Sequence, residues 1–240
     1  MGSFNIKIIS TETAGDLQKN KTLLSKLPTS SLTDELLSHA LEGTPMIKFG
    51  NGSPKIMLTS GIHGNELSPQ IASLIVAQTL EELILRGTVF MIPFAIPYAT
   101  MESSRRFKGV DMNRSASKKG YLSNKILKTA QNLKLDSLAD FHSTKPHSNP
   151  GVESIFCSEK PSPQSKKIAE HINKATQSKI ICHKKAGNLY QGALEDECNL
   201  INIPAVTCEV VSQNSRVDQG SQERSCLQMK AYLDYFGIVI

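Results

Sequence analysis

The chain has 240 residues, 39% of them hydrophobic, which suits one α/β domain or two small ones with a sizeable core. Its 27 Lys and Arg against 22 Asp and Glu give a formal charge of +5, too small and too dispersed for a nucleic-acid surface but compatible with an acidic or carboxylate-bearing partner. Five scattered cysteines (Cys157, Cys182, Cys198, Cys208, Cys226) form no Cys-x-x-Cys pair, which excludes a cysteine-type zinc knuckle and predicts buried reduced thiols in a cytoplasmic protein.

In chain order, the first residues, Met1 to Lys7, carry no signal-peptide apolar region, and Gly2 is no myristoylation signal because Ile stands at position 6. No stretch approaches the length of a membrane span, so no membrane partner is expected. Residues 1–45 are polar and rich in Ser, Thr and Lys. They read as an N-terminal extension packed on the core, with an edge strand at Phe4–Ile9 and a short helix at Ser31–Leu41. Residues 46–240 read as a single domain. Strands are predicted at Met46–Phe49, Ile56–Ser60, Thr88–Phe94, Ser137–Phe141, Glu153–Cys157, Lys179–Cys182 and Ala205–Val211. Helices are predicted at Pro69–Leu85, Leu122–Leu133, Pro163–Thr176 and Gly220–Tyr235. Gly50-Asn51-Gly52 is a hairpin signal between the first two of these strands. Ser68 suits an N-cap and Pro69 the first helical position, with Ile71, Leu74, Ile75, Leu80, Leu83 and Ile84 forming a broad apolar face. The alternation predicts an α/β fold, a mixed, largely parallel sheet with helices on both faces.

The chemistry concentrates after the strand at Ile56–Ser60, in Gly61-Ile62-His63-Gly64-Asn65-Glu66. An imidazole and a carboxylate three residues apart, on a glycine-softened turn at a strand's end, can converge on one cation; zinc favours that mixture. A catalytic zinc takes three protein ligands and keeps one position open. His142, closing the run Leu138-Ala139-Asp140-Phe141-His142, fits the third place. Of the other histidines, His39 and His171 lie in helical stretches, His147 on a Pro/Asn loop, and His183 beside two lysines that disfavour a cation. Asp140 shares strand parity with His142 and either supports its imidazole or simply ends the strand. Hydrolysis at a metal also needs a general base. Glu209 is the best candidate, a lone carboxylate in an otherwise apolar strand, the other reading being an edge strand that turns it to water. Ser104-Arg105-Arg106-Phe107 and Asp111-Met112-Asn113-Arg114 form a cationic cluster able to clamp a carboxylate or steady an oxyanion, or to serve as an ordinary basic loop.

In this order, His63-x-x-Glu66, Arg106 with Asp111-Met112-Asn113-Arg114, Asp140-Phe141-His142 and Glu209-Val210 resemble the zinc carboxypeptidase superfamily. Within it they look like the succinylglutamate desuccinylase/aspartoacylase branch. The resemblance covers residues 44–215 and departs from the usual pattern in Met112, which replaces a Leu. It implies a zinc carboxypeptidase-like fold and one Zn²⁺ per chain, held by His63, Glu66 and His142. Glu209 would be general base and then proton shuttle to the leaving amine. Arg106, separated from Asn113 as the branch requires and so preferred over Arg105, would polarise the scissile carbonyl. Asn113 and Arg114 would bind a free carboxylate, and Tyr190 is the nearest candidate for the family's active-site tyrosine. The expected function is a zinc-dependent hydrolase that cleaves an amide bond beside a free carboxylate, in an N-acyl amino acid or short peptide, by a metal-activated water. The short stretch after Glu209 leaves no room for the β-rich C-terminal domain of aspartoacylase-like enzymes. A more open cleft is therefore expected, which brings in relatives resembling murein peptide amidases, enzymes that cut a γ-D-glutamyl–diaminopimelate bond. An ester deacylase and a non-hydrolytic metal-binding regulatory protein are the remaining readings.

Overall fold

In the computed structural model, which describes residues 4–238, the apolar runs become one eight-stranded sheet; Gly2 lies outside the described residues. The strands are β1 (Phe4–Ile8), β2 (Pro45–Asn51), β3 (Lys55–Ser60), β4 (Gly87–Ile92), β5 (Ser137–Thr144), β6 (Ser154–Ser158), β7 (Lys179–His183) and β8 (Ala205–Val211). The helices are α1 (Lys21–Leu24), α2 (Ser31–Ala40), α3 (Leu67–Glu81), α4 (Pro97–Met101), α5 (Leu122–Leu133), α6 (Gln164–Thr176), α7 (Leu194–Leu200) and α8 (Ser221–Tyr235).

Across the sheet the order is β1-β2-β4-β3-β5-β8-β6-β7. The run β4-β3-β5-β8 and the pair β6-β7 are parallel; β1-β2, β2-β4 and β8-β6 are antiparallel. Every residue of β4 and β5 is buried, as expected for strands covered on both faces, whereas edge strand β1 alternates in and out. Leu36 of α2, Ile71 and Leu74 of α3, Ile168 of α6 and Met229 of α8 pack in one core. Ala99 of α4, Ile126 of α5 and Leu194 and Cys198 of α7 pack in a second. The mixed sheet with helices on both faces is therefore the observed architecture. No helix among the described residues is long and apolar enough to cross a membrane, and all five cysteines are free thiols.

Several local expectations are corrected. Gly50-Asn51-Gly52 does not close a hairpin: β4 inserts between β2 and β3, because the α3 crossover returns the chain parallel to β3 on its β2 side. Helix α3 starts two residues early, with Glu66 at the N-cap position and Pro69 as its third residue; Ser68 instead meets Ser221 Oγ at 2.8 Å. It ends at Glu81, since the chain must leave the helix to enter β4, and Ile84 is 99% exposed rather than part of the apolar face. The acidic run Glu195-Asp196-Glu197 after Tyr190 reads in the sequence as a solvated loop or helix start, yet Glu195 and Asp196 are 2% exposed within α7.

Candidate metal centre and substrate cavity

The turn after β3 is built to tight tolerance. Gly61 has φ +76°, a region that favours glycine. A Cβ on Gly64 would run into the Ala99 backbone. Gln70 in the first turn of α3 ties the turn down, donating from Nε2 to Glu66 O at 2.9 Å and accepting from Thr100 Oγ1 at 2.8 Å. The parallel order β3-β5-β8 then brings the end of β3, His142 on β5 and Glu209 on β8 to one edge, the carboxyl-end edge where ligands bind in such sheets.

His63, Glu66 and His142 converge there, each offering one ligand atom, with all three atoms within 4.8 Å of one another. All three are buried. His63 Nδ1 lies 2.9 Å from Glu66 Oε1, and His142 Nδ1 lies 2.8 Å from Glu66 Oε2. The far nitrogens face other carboxylates: His63 Nε2 is 2.9 Å from Asp111 Oδ1, and His142 Nε2 is 2.8 Å from Asp140 Oδ2. A neutral imidazole has one N–H to give, so a ring with a carboxylate at each nitrogen needs a second proton or a metal ion. A divalent cation held by His63, Glu66 and His142 would meet that requirement, with Asp111 and Asp140 supporting the two imidazoles. Burial pulls the His63 pKa down, but Glu66 and the hydrogen bonds to Asp111 and Glu66 carry it upward overall. For His142 burial is likewise outweighed, by the charges of Asp140 and Glu66. Burial alone would raise the Glu66 pKa; the two imidazoles hold it far below the carboxylate range.

Glu209 does not face open water. β8 lies inside the sheet, between β5 and β6, and Glu209 is the direct neighbour of His142 in register. Its Oε2 is shielded from solvent and has no hydrogen-bond partner among the described residues. Burial and then the Glu66 charge push its pKa up to about 7. A cavity of ≈ 330 Å³ opens over these groups, within the usual range for small-molecule sites. Its walls bring together His63, Glu66, Asn113, Arg114, Tyr190 and Glu209. Arg114 lies over the Tyr190 ring, 5.1 Å from its centroid, and the Asn113 side chain accepts from Leu194 N–H at 3.3 Å.

The structure separates the two neighbouring arginines. Arg105 lines the cavity, with Nη1 2.9 Å from Glu66 Oε1 and Nη2 3.8 Å from Asp111 Oδ2. Arg106, preferred on spacing, is exposed and donates to Gly109 O. Both arginines are exposed; what distinguishes them is that Arg105 reaches back over the cavity to Glu66 while Arg106 bonds its own loop. Sequence reasoning also passed over Asp111 as a partner of His63 and Glu195 as a wall of the cavity; Asp111 was legible only as part of the Asp-Met-Asn-Arg motif.

Residues 52–236 match the sequence profile of the succinylglutamate desuccinylase/aspartoacylase catalytic domain. No protein of curated function matches the chain. Among solved structures, the fold is similar to a succinylglutamate desuccinylase/aspartoacylase from Rhodobacter sphaeroides (TM-score 0.64, 19% identity, 83% of this chain and 61% of that one). It is similar to a metallopeptidase candidate from Shewanella denitrificans (TM-score 0.67, 14% identity, 92% of each chain). It is also similar to the tripeptide-bound cell shape determinant Csd4 from Helicobacter pylori (TM-score 0.64, 14% identity, 82% of this chain and 56% of that one). The chain thus spans about three-fifths of the length of the Rhodobacter protein.

Proposed function

Because the chain belongs to the succinylglutamate desuccinylase/aspartoacylase catalytic-domain family, we propose that it is a zinc-dependent hydrolase that cleaves an amide bond beside a free carboxylate. The observation that carries this reading is the convergence of His63 Nδ1, Glu66 and His142 Nδ1 at the base of a cavity that also holds an unpaired Glu209 Oε2. A zinc ion on those three groups, when bound, supplies Lewis acidity and eases the ionisation of water. Glu209 Oε2 takes the proton from the attacking water and passes it to the leaving nitrogen. Arg105, which lines the cavity, stabilises the negative charge that grows on the carbonyl oxygen, in place of Arg106, whose guanidinium bonds Gly109 O. Asn113 and Arg114, with Tyr190 beneath the guanidinium, anchor the carboxylate. Asp111 and Asp140 keep the two imidazoles aimed.

The test combines metal analysis with hydrolysis of N-acetyl-L-aspartate, N-succinyl-L-glutamate and γ-D-glutamyl–diaminopimelate. One zinc per chain and turnover of at least one substrate are expected. Glu209→Gln should keep the metal and lose roughly 10²–10⁴ in kcat; turnover equal to the unsubstituted protein refutes the assignment. A murein-type peptidase is the second reading. The likeness to the Shewanella metallopeptidase candidate over 92% of both chains favours it, and preference for the γ-D-glutamyl substrate would decide for it.

A further inference from the structure

The chemistry above leaves one buried acid in the cavity without a task. Glu195, second residue of α7, lines the cavity and is 2% exposed. Its Oε1 accepts from Asn199 Nδ2 at 2.6 Å and from Ser158 Oγ at 3.4 Å. Among the described residues, no hydrogen bond reaches its Oε2, and no Lys or Arg stands within ion-pair distance of the carboxyl. The charges that act on it most strongly are of its own sign, Asp196 on the same helix and Asp140 on β5, and Arg114 lines the same cavity. The thiols of Cys157 on β6 and Cys198 on α7 also lie nearby. A buried carboxyl with no cation resolves its cost by staying protonated. With Oε1 occupied as an acceptor, the proton belongs on Oε2. The preceding residue's N–H bonds Asn113 Oδ1, so Glu195 stands beside the proposed carboxylate anchor.

Resting on the function proposed above, we propose that Glu195 is a substrate-binding residue, a neutral acid whose Oε2–H donates to the carboxylate held by Asn113 and Arg114. The site then presents donors from three side chains to one anion, and selects a carboxylate rather than an ammonium group at that spot. Burial and the Asp196 charge push the Glu195 pKa up to about 8, which keeps the acid protonated at neutral pH.

The test is calorimetric binding to the zinc-loaded protein in a Glu209→Gln background, which slows hydrolysis and removes the titration of Glu209. The probes are N-acetyl-L-aspartate, N-succinyl-L-glutamate and γ-D-glutamyl–diaminopimelate, the tightest being followed from pH 6.5 to 9.5. Affinity should fall about tenfold or more above pH 8 as the donor is lost. Adding Glu195→Gln should hold affinity within about threefold over the whole range, because its amide oxygen can serve Asn199 while its NH₂ faces the cavity. Adding Glu195→Leu should weaken binding about tenfold at pH 7. Tyr190, Lys145 and Arg114 are common to all variants, so the difference in pH response isolates Glu195. An unchanged alkaline fall in the Gln variant overturns the inference, as does affinity that rises through pH 8 in the parent. Binding by none of the probes refutes the carboxylate reading and this inference together; binding and turnover without the Glu195 effect refutes this inference alone. Since Gln preserves shape and hydrogen bonding, the test survives if the Leu variant fails to fold.

Discussion

At the scale of single residues, His63 and His142 are each backed by a carboxylate at Nε2, but the two backings differ. Asp140 is fully buried and also accepts from Thr59 Oγ1 at 2.6 Å, whereas Asp111 is half-buried and reachable by Arg105. Asp111→Asn should therefore leave the fold intact and weaken zinc about 10- to 100-fold in a chelator competition. The arginine pair gives a second contrast. Arg105→Ala should cost about 10²–10³ in kcat, and Arg106→Ala should stay within a few-fold of the parent, as steady-state kinetics would read. Glu195 gives a third. Its carboxyl pKa is pushed up to about 8 by burial and Asp196. The stability contributed by the neutral acid is complete below the ordinary carboxylate pKa and is lost as pH rises through about 8, because the folded chain holds a proton that the unfolded chain has released. Glu195→Gln cannot ionise, so its melting temperature should match the parent near pH 4.5 and exceed it by roughly 3 °C or more at pH 8.5.

At the scale of elements, the turn joining β3 to α3 is the least forgiving. Gly64→Ala would push a methyl into the Ala99 backbone, so either α4 moves or the turn opens. A loss of about 2 kcal/mol or more in denaturant unfolding, with weakened zinc retention, is the expected outcome. This turn was the most legible part of the sequence. A strand, a glycine-flanked His-x-x-Glu and a helical pattern say where the chain bends and which side chains end there. The long apolar runs were equally readable, since β4 and β5 are buried on both faces and need unbroken apolar sequence. The short pieces were not. Helix α4 has five residues and α7 has seven, too few for a periodic pattern. In α7 the sequence Leu194-Glu195-Asp196-Glu197 looks solvated, and only the tertiary fold reveals that two of its acids are inside. That Arg105 rather than Arg106 reaches Glu66 is likewise a tertiary fact that no spacing rule contains.

At the scale of the whole molecule, the strand order could not be read from the chain. The glycine-rich Gly50-Asn51-Gly52 turn suggested neighbours in sequence pairing as neighbours in space, but β4 takes that place. Non-local pairing depends on how α3 returns the chain, and local turn chemistry carries no trace of it. The molecule also concentrates Glu66, Asp111, Asp140 and Glu209 around two imidazoles at one sheet edge, an arrangement that a cation would relieve. Stripping zinc with a chelator should therefore lower the melting temperature by roughly 10 °C, the shift expected when a ligand at about a thousand times its Kd is removed from a domain of this size, with recovery on adding the metal back.

His142 and Glu209 stand side by side on hydrogen-bonded parallel strands. Rungs of the sheet, rather than any surface loop, set the spacing between the two. Segments 145–150 and 213–216, which border the mouth of the cavity through Lys145, Pro150 and Asn214, can be lengthened, shortened or swapped while that spacing stays constant. An engineer seeking new selectivity on this scaffold would therefore treat the rim as the adjustable part and the two neighbouring rungs as the fixed gauge.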